Sequence, residues 1–220
     1  MKRTRRISTR RQKRTLVIPK PSRNGNIKVT REGWLNCARV ALIEDGIDGV
    51  KVDRLAQRTK VTRGGFYYHF KSHHQMLDEL LLVWKSQNRF TPARFEGTGA
   101  VAASQALDRI IDDLVHENGF DPQFDMAVRE WARISQPVAD VVQEIDEERL
   151  GVLRQIFAAM GYAAEEANIR ARIFYWHQIG YYAVGMVETV AEREGNLGAY
   201  IKVLAGERYA GRFRTVRKAA

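Results

Sequence analysis

The chain has 220 residues, 45% of them hydrophobic and 28% charged, with a formal net charge of +10. That composition supports one or two packed domains and excludes wholesale disorder. No apolar run reaches the roughly 18–20 residues that a membrane helix needs, and even the stretch 173–187 is interrupted by His177 and Gln178.

A single cysteine, Cys37, excludes an internal disulfide framework and a cysteine-rich zinc site. It fits an intracellular, cytoplasmic protein. The charge is uneven: residues 1–29 hold eleven Lys/Arg and no acid, 30–75 sum to +3, 76–205 to −8 and 206–220 to +4. So basic a front end points to an anionic polymer or surface as its partner. Residues 1–26 lack the long apolar stretch of a secretory signal and the amphipathic face of a transit peptide. They read as a disordered, solvated arm. The compatible functional reading is an arm that orders on nucleic acid, through phosphates or a minor groove.

From residue 30 on the pattern is helix after helix. Thr30 can cap a first helix with Glu32 in its opening turn. Trp34, Cys37, Ala38, Ala41 and Leu42 form its buried face, and Asp45-Gly46 ends it. A short helix over 52–59 buries Leu55 and Ala56. After a turn at 59–61, Thr62 can cap a third helix over 63–70. Ser72-His73-His74-Gln75 has capping-box form and opens a longer helix through Met76, Leu80 and Trp84.

Residues 91–100 read as a loop. Helices are expected at 103–118 and 124–135. A long one follows from Pro137, tolerated in a first turn, to Met160, with Gly161 as its stop. A single helix is expected over 165–194, apolar nearly all round in its middle and so covered on more than one face. Gly195 and Asn196 would end it, before a last helix over 197–205. The expected fold is all-α, with no strand. Three units are expected: a helical front unit at 27–87, a helical second domain at 88–206 and a basic tail at 207–220.

Two short helices joined by a tight turn after a longer helix make a helix-turn-helix, at about residues 50–69. The spacing Val52-x-x-Leu55-Ala56-x4-Val61-Thr62-Arg63-Gly64-Gly65-Phe66-Tyr67-Tyr68-His69-Phe70-Lys71-Ser72 is far more specific than that general pattern. It resembles the tetracycline-repressor (TetR) family over about residues 30–85, and more weakly beyond.

The resemblance implies an all-helical homodimer: an N-terminal three-helix domain that binds double-stranded DNA, and a C-terminal domain that binds a small molecule and dimerises. No enzymatic activity and no cofactor are expected. The resemblance places Thr62, Tyr67 and His69 against DNA backbone or base edges and Lys71 against a phosphate.

The residues themselves support an inner face of Leu55, Ala56, Val61, Phe66 and Phe70. Tyr67, Tyr68 and His69 cannot all be buried beside it. Arg63 can grip guanine bidentately or pair with a phosphate. Gly64 and Gly65 each cost a helix up to ~1 kcal/mol against alanine. Either the helix start frays there, or the backbone approaches a groove edge. Two positions depart from the family pattern. Lys51 replaces the usual Ser/Thr cap of the second helix, so a phosphate there would relieve its charge. His73 stands where Lys is common, making that phosphate contact pH-dependent or absent.

No nucleophile–base order, P-loop or metal-ligand spacing stands out. His69 and His73 are four apart, with no third ligand. The acids at 112–113 and 146–148 are adjacent on a helix and so point apart. The aromatic set Trp84, Phe90, Phe95, Trp131, Phe174, Tyr175, Trp176 and Tyr181 reads as core, dimer seam or pocket. Phe174, His177, Gln178 and Tyr181 share one helical face with the mixed lining of a ligand site. With Trp84 and Trp131 they form the candidate effector pocket; a histidine satisfied in a dimer seam is the alternative. Gly180, Val184 and Val187 are candidate dimer contacts. The expected function is a sequence-specific regulator, a repressor released from a palindromic operator by a small-molecule effector. One rival is an architectural, weakly specific nucleic-acid binder; the other is a small helical enzyme that uses the aromatic pocket, against which the missing nucleophile–base or metal constellation argues.

Overall fold

Each of the first helices is set by a local stop and start. Thr30 Oγ1 accepts the Gly33 N–H (3.1 Å) and starts α1, Arg31–Asp45. Gly46 closes it with φ +68°, its N–H on the Leu42 carbonyl. The computed structural model describes residues 29–89, 99–207 and 209. The arm 1–26, Phe90, Phe95, most of the loop expected at 91–100 and most of the tail 207–220 lie outside them.

A 3-10 turn, Ile47–Gly49, follows. A Cβ on Gly49 would sit 2.4 Å from Asp45 Cβ, so only glycine lets the chain fold back onto α1 there. Next come α2 (Val52–Thr59), α3 (Arg63–Tyr67) and α4 (His73–Asn88). Ser72 Oγ accepts the Gln75 N–H (3.1 Å) at the start of α4, but the Gln75 side chain accepts from Lys71 N–H (2.8 Å). The expected box is thus displaced by one residue on its return arm.

The later helices are α5 (Ala100–His116), α6 (Pro122–Ala132), α7 (Gln136–Ala159), α8 (Ala164–Ala183) and α9 (Val190–Ala205). No strand occurs among the described residues, and no helix there is long and apolar enough to cross a membrane. α3 ends at Tyr67 rather than at residue 70, and α5 and α6 each shift by two or three residues at both ends; three of the differences have a clear local cause. α5 stops at His116 because Glu117 turns left-handed (φ 54°). α6 starts two residues early because Asp121 caps the Phe124 N–H and Pro122 fits the first turn.

The third is the expected helix over 165–194, which is two helices. α8 ends with Val184 as its C-cap, Gly185 takes φ +71°, and Thr189 with Glu192 forms a full capping box for α9. Gly195 and Asn196 therefore lie inside α9 rather than at a helix end.

Two cores form, with α7 contributing to both. In the first, α1–α4 pack with α6 and the front of α7: Trp34, Leu42, Leu55, Phe66, Phe70 and Trp84 join Phe124, Val128 and Ile145. Trp34 meets Phe66 edge-on at 5.4 Å, and Phe66 stacks on Phe70 at 5.1 Å. The second gathers α5, the back of α7, α8 and α9 around Leu107, Ile110, Phe157, Ala171 and Ile201. The first core thus draws on residues from both sides of position 87. Cys37 is wholly buried in the first core, and burial pushes its thiol up.

Between the cores lies a chain of buried and half-buried polar groups. Trp84 Nε1 donates to Asp125 Oδ1 (3.0 Å), and Arg129 Nε to Asp125 Oδ2 (3.0 Å). Arg129 forks onto Asp146 (2.7 and 2.9 Å), which accepts the Tyr175 hydroxyl proton (2.6 Å). Burial opposes the Arg129 charge, but the Asp146 hydrogen bonds and the Asp125 charge outweigh it and hold the guanidinium ionised. Burial pushes the Tyr175 phenol up to about 12. Arg149 closes the last turn of α4, donating to the carbonyl and the side-chain oxygen of Asn88 (both 2.6 Å). It thereby satisfies a helix-end acceptor that burial would otherwise leave orphaned.

Candidate nucleic-acid surface and ligand cavity

The turn between α2 and α3 is tight because Lys60 adopts αL geometry (φ 57°) and Val61 N–H returns to the Ala56 carbonyl (3.0 Å). Thr62 takes the extended N-cap conformation, but its side chain makes no capping bond. On α3, Phe66 is the buried anchor. With that residue turned inward, Thr62, Arg63, Gly64, Tyr67 and Tyr68 face solvent, and Gly65 is half-buried.

Arg63 Nε pairs with Asp53 Oδ1 of α2 (3.1 Å). A hydrogen bond to Tyr67 and the Asp53 charge raise its pKa further. The α3 side chains therefore stand as one braced set on an exposed ridge. A Cβ at Gly64 or Gly65 would make only ordinary contacts (3.6 and 3.8 Å), and neither glycine has positive φ. Nothing inside the fold requires glycine at either place.

The remaining positions of this surface divide. Lys51 and Lys71 are exposed. Lys51 gives α2 no side-chain cap and pairs instead with Asp48 (3.3 Å). His69 is half-buried, its Nε2 on the Val29 carbonyl (2.8 Å), while its own carbonyl accepts from Arg31. His73 Nε2 meets the Val50 carbonyl (2.6 Å). Both histidines thus tie backbone segments together in this state: His69 holds the chain entering α1, and His73 the loop before α2.

The second feature is a cavity of about 80 Å³ between α5, α8 and α9. Phe174, His177, Gln178 and Tyr181 all line it, as their shared face on α8 implied. Trp84 and Trp131 do not. Both pack in the first core, Trp84 fully buried and bonded to Asp125, because an aromatic at helical spacing does not reveal which neighbour will cover it.

Glu188, Arg193 and Tyr200 also line the cavity, and helical periodicity did not point to them. The Thr189/Glu192 box was the signal that could have found them, since it fixes where the chain turns back. Tyr181 donates its hydroxyl to Glu188 Oε2 (2.8 Å), and burial raises its pKa. The His177 ring lies 4.8 Å from that of Tyr200, and burial lowers its pKa and favours the neutral form. Arg193 Nη1 donates to Glu117 (3.1 Å) and to the Leu114 carbonyl (3.4 Å).

The candidate dimer positions lie on the outer side of this region. Ile169, Ile173 and Trp176 are about half exposed, and Gly180 continues their stripe along α8 with open space around it. Val184 and Val187, in the connection to α9, are 73% and 89% exposed.

Residues 35–80 match the family model for bacterial regulatory proteins of the tetR family. A stretch of 52 residues is 38% identical to the transposon Tn10 TetC protein of Escherichia coli, covering 24% of this chain and 26% of that one. The chain thus matches only about a quarter of that relative's length. Among solved structures it is similar to Salmonella enterica GusR, with TM-score 0.52, 15% identity and 84% and 92% of the two chains covered. It is also similar to a putative fatty acid metabolism regulator of Clostridium perfringens, with TM-score 0.49, 14% identity and 79% and 97% covered. The likeness to GusR is one of fold.

Proposed function

We infer, from the match of residues 35–80 to the tetR family of bacterial regulatory proteins and the likeness to the TetC protein, that this chain is a DNA-binding transcriptional regulator. The observation that carries the reading is the α3 ridge. Arg63 and Tyr67 project beside two glycines that no internal contact explains, which suits a backbone pressed close to a groove edge. Thr62, Tyr68, Lys51 and Lys71 flank that ridge and would meet phosphates or base edges. His69 would contribute only after exchanging its bond to Val29. The basic arm enters the fold at Val29, beside His69, and would add phosphate contacts.

The apolar stripe on α8, with Val184, Val187 and the exposed Val203 of α9, would be covered by a second copy in a four-helix seam. A homodimer then presents two α3 ridges to a palindromic operator, which on B-DNA must sit about 34–36 Å apart. An effector in the cavity would act through α8. Tyr175 lies one residue beyond the cavity-lining Phe174, and it joins the polar chain that reaches Trp84 of α4. Since α4 follows directly on the α3 ridge, displacing α8 would change the spacing of the two ridges and release DNA. That makes repression relieved by a ligand the favoured output.

Selection of bound fragments from random DNA tests this reading. Recovery of a palindromic sequence whose affinity exceeds that of random DNA at fixed salt is expected. Equal affinity for all fragments would favour the architectural binder instead.

A further inference from the structure

We propose that the cavity takes a small organic cation, with one aromatic ring among His177, Tyr181 and Tyr200 and its ammonium group at Glu188. This rests on the effector reading above and specifies its ligand class. The charge at the cavity wall is the first observation. Glu188 is half-buried and lies in the six-residue connection that brings the chain back from α8 to α9. Its hydrogen bonds come from neutral donors, Tyr181 Oη (2.8 Å) and Asn196 Nδ2 (3.3 Å). Such donors orient a carboxylate without cancelling its charge, and a half-desolvated carboxylate gains most from a cationic partner.

The other charged group in the wall does not supply that partner. Arg193 gives its Nη1 to Glu117 and to the Leu114 carbonyl on the α5 side, while its buried Nε makes no hydrogen bond. Glu188, Arg193 and Glu117 together leave the site with one negative charge. An anionic ligand would meet this excess; a cation would neutralise it.

The apolar part of the wall fits the other half of the ligand. The rings of His177, Tyr200 and Tyr181 lie side by side, at 4.8 and 6.4 Å from the histidine. Their faces attract a cation electrostatically and stack on an aromatic ring. Burial lowers the His177 pKa and so disfavours an opposing charge there. Size sets the upper bound. An engineered apolar cavity of about 150 Å³ holds one benzene. A cavity of about 80 Å³ admits no more than one ring, with the polar group left to meet Glu188 in its wall.

The test uses three probes of one shape on the full chain at neutral pH and fixed ionic strength: benzylammonium, benzyl alcohol and benzoate. Binding is followed by ligand-observed NMR. Benzylammonium is expected to bind at least tenfold more tightly than benzoate, with benzyl alcohol between them. Glu188→Gln keeps the shape and one acceptor oxygen, and it should bring benzylammonium down to the level of the alcohol. Glu165→Gln, at an exposed acid in the first turn of α8, should leave the order unchanged.

Benzoate binding as tightly as benzylammonium overturns the proposal. So does an order unaffected by Glu188→Gln, an order erased by Glu165→Gln, or no binding by any probe. DNA affinity is measured separately. Cation binding that leaves operator affinity unchanged refutes the effector reading but keeps the ligand class. Failure of the ligand class leaves operator recognition by α3 standing.

Discussion

Replacing Asp125 by alanine should be among the most costly single changes outside the hydrophobic core. Asp125 is fully buried, and its two oxygens serve different partners: the Trp84 indole N–H and the Arg129 guanidinium, both at 3.0 Å. Removing it leaves a buried indole donor unpaired, at about 1–3 kcal/mol. It also removes one of two carboxylates facing Arg129; breaking a buried ion pair outright costs about 3–5 kcal/mol. Because Arg129 keeps its fork onto Asp146, the sum should fall near the low end of that range, about 3 kcal/mol.

Asp125→Asn keeps an acceptor for Trp84 and loses only the charge, so about half that loss is expected. Urea unfolding at one fixed protein concentration reads both values. With an m-value of about 3 kcal/mol/M, the alanine midpoint should drop by about 1 M. Trp84→Phe combined with Asp125→Ala should cost less than the two single changes added, because the orphaned donor is gone. An Asp125→Ala midpoint within the scatter of surface substitutions, about 0.5 kcal/mol, would refute the claim that this chain of polar groups holds α4 to α6 and α8.

Arg63→Ala should weaken specific DNA binding by about 1–3 kcal/mol and relax base preference at one position per half-site. Tyr67→Ala should weaken it too, with circular dichroism unchanged in both, and unaltered operator affinity in both would remove α3 from the interface. Deleting residues 1–26 should make the slope of log K against log salt shallower by ~0.9 for each phosphate that the arm neutralises, and an equal slope would mean that the arm touches no DNA. Gly180→Glu and Val184→Glu should give monomers or aggregates by sedimentation, with DNA binding falling steeply; normal dimers from both would move the seam elsewhere. His116 is held by the Asp112 carbonyl and by the Asp112 and Glu194 carboxylates, which raise its pKa above 6.5. Its stabilising effect is therefore complete below that value and fades as pH rises through the raised one. His116→Gln should flatten stability against pH over that window, and an unchanged profile would contradict it.

The front of the chain was legible because its structure is set by short-range chemistry. Thr30 and Ser72 cap the turns that directly follow them, Gly46 closes α1 with a positive φ, and Lys60 sits where two short amphipathic helices must turn. Phe66 and Phe70 at fixed spacing then determine which side of α3 is left outside. The back of the chain was less legible. Residues 173–187 are so uniformly apolar that no period marks the end of a helix, and the break is set by Gly185 together with the Thr189 box rather than by Gly195.

Which partner each buried group would find was decided only when distant helices met. Asp125 and Arg129, four apart, look in sequence like a surface pair. Packing of α4, α7 and α8 around them makes them buried links to Trp84, Asp146 and Tyr175. Trp84 and Tyr181 are both aromatics on helices, yet one fills a core and the other lines a cavity. Sequence by itself determined where helices start, which face turns inward and that the α2–α3 pair stands on the surface, because caps, turns and periodicity act within a few residues. Tertiary structure alone decided the cavity and the polar chain between the cores, because desolvation and hydrogen-bond pairing there depend on distant neighbours, from 17 residues apart for Arg129 and Asp146 to 61 for Arg149 and Asn88.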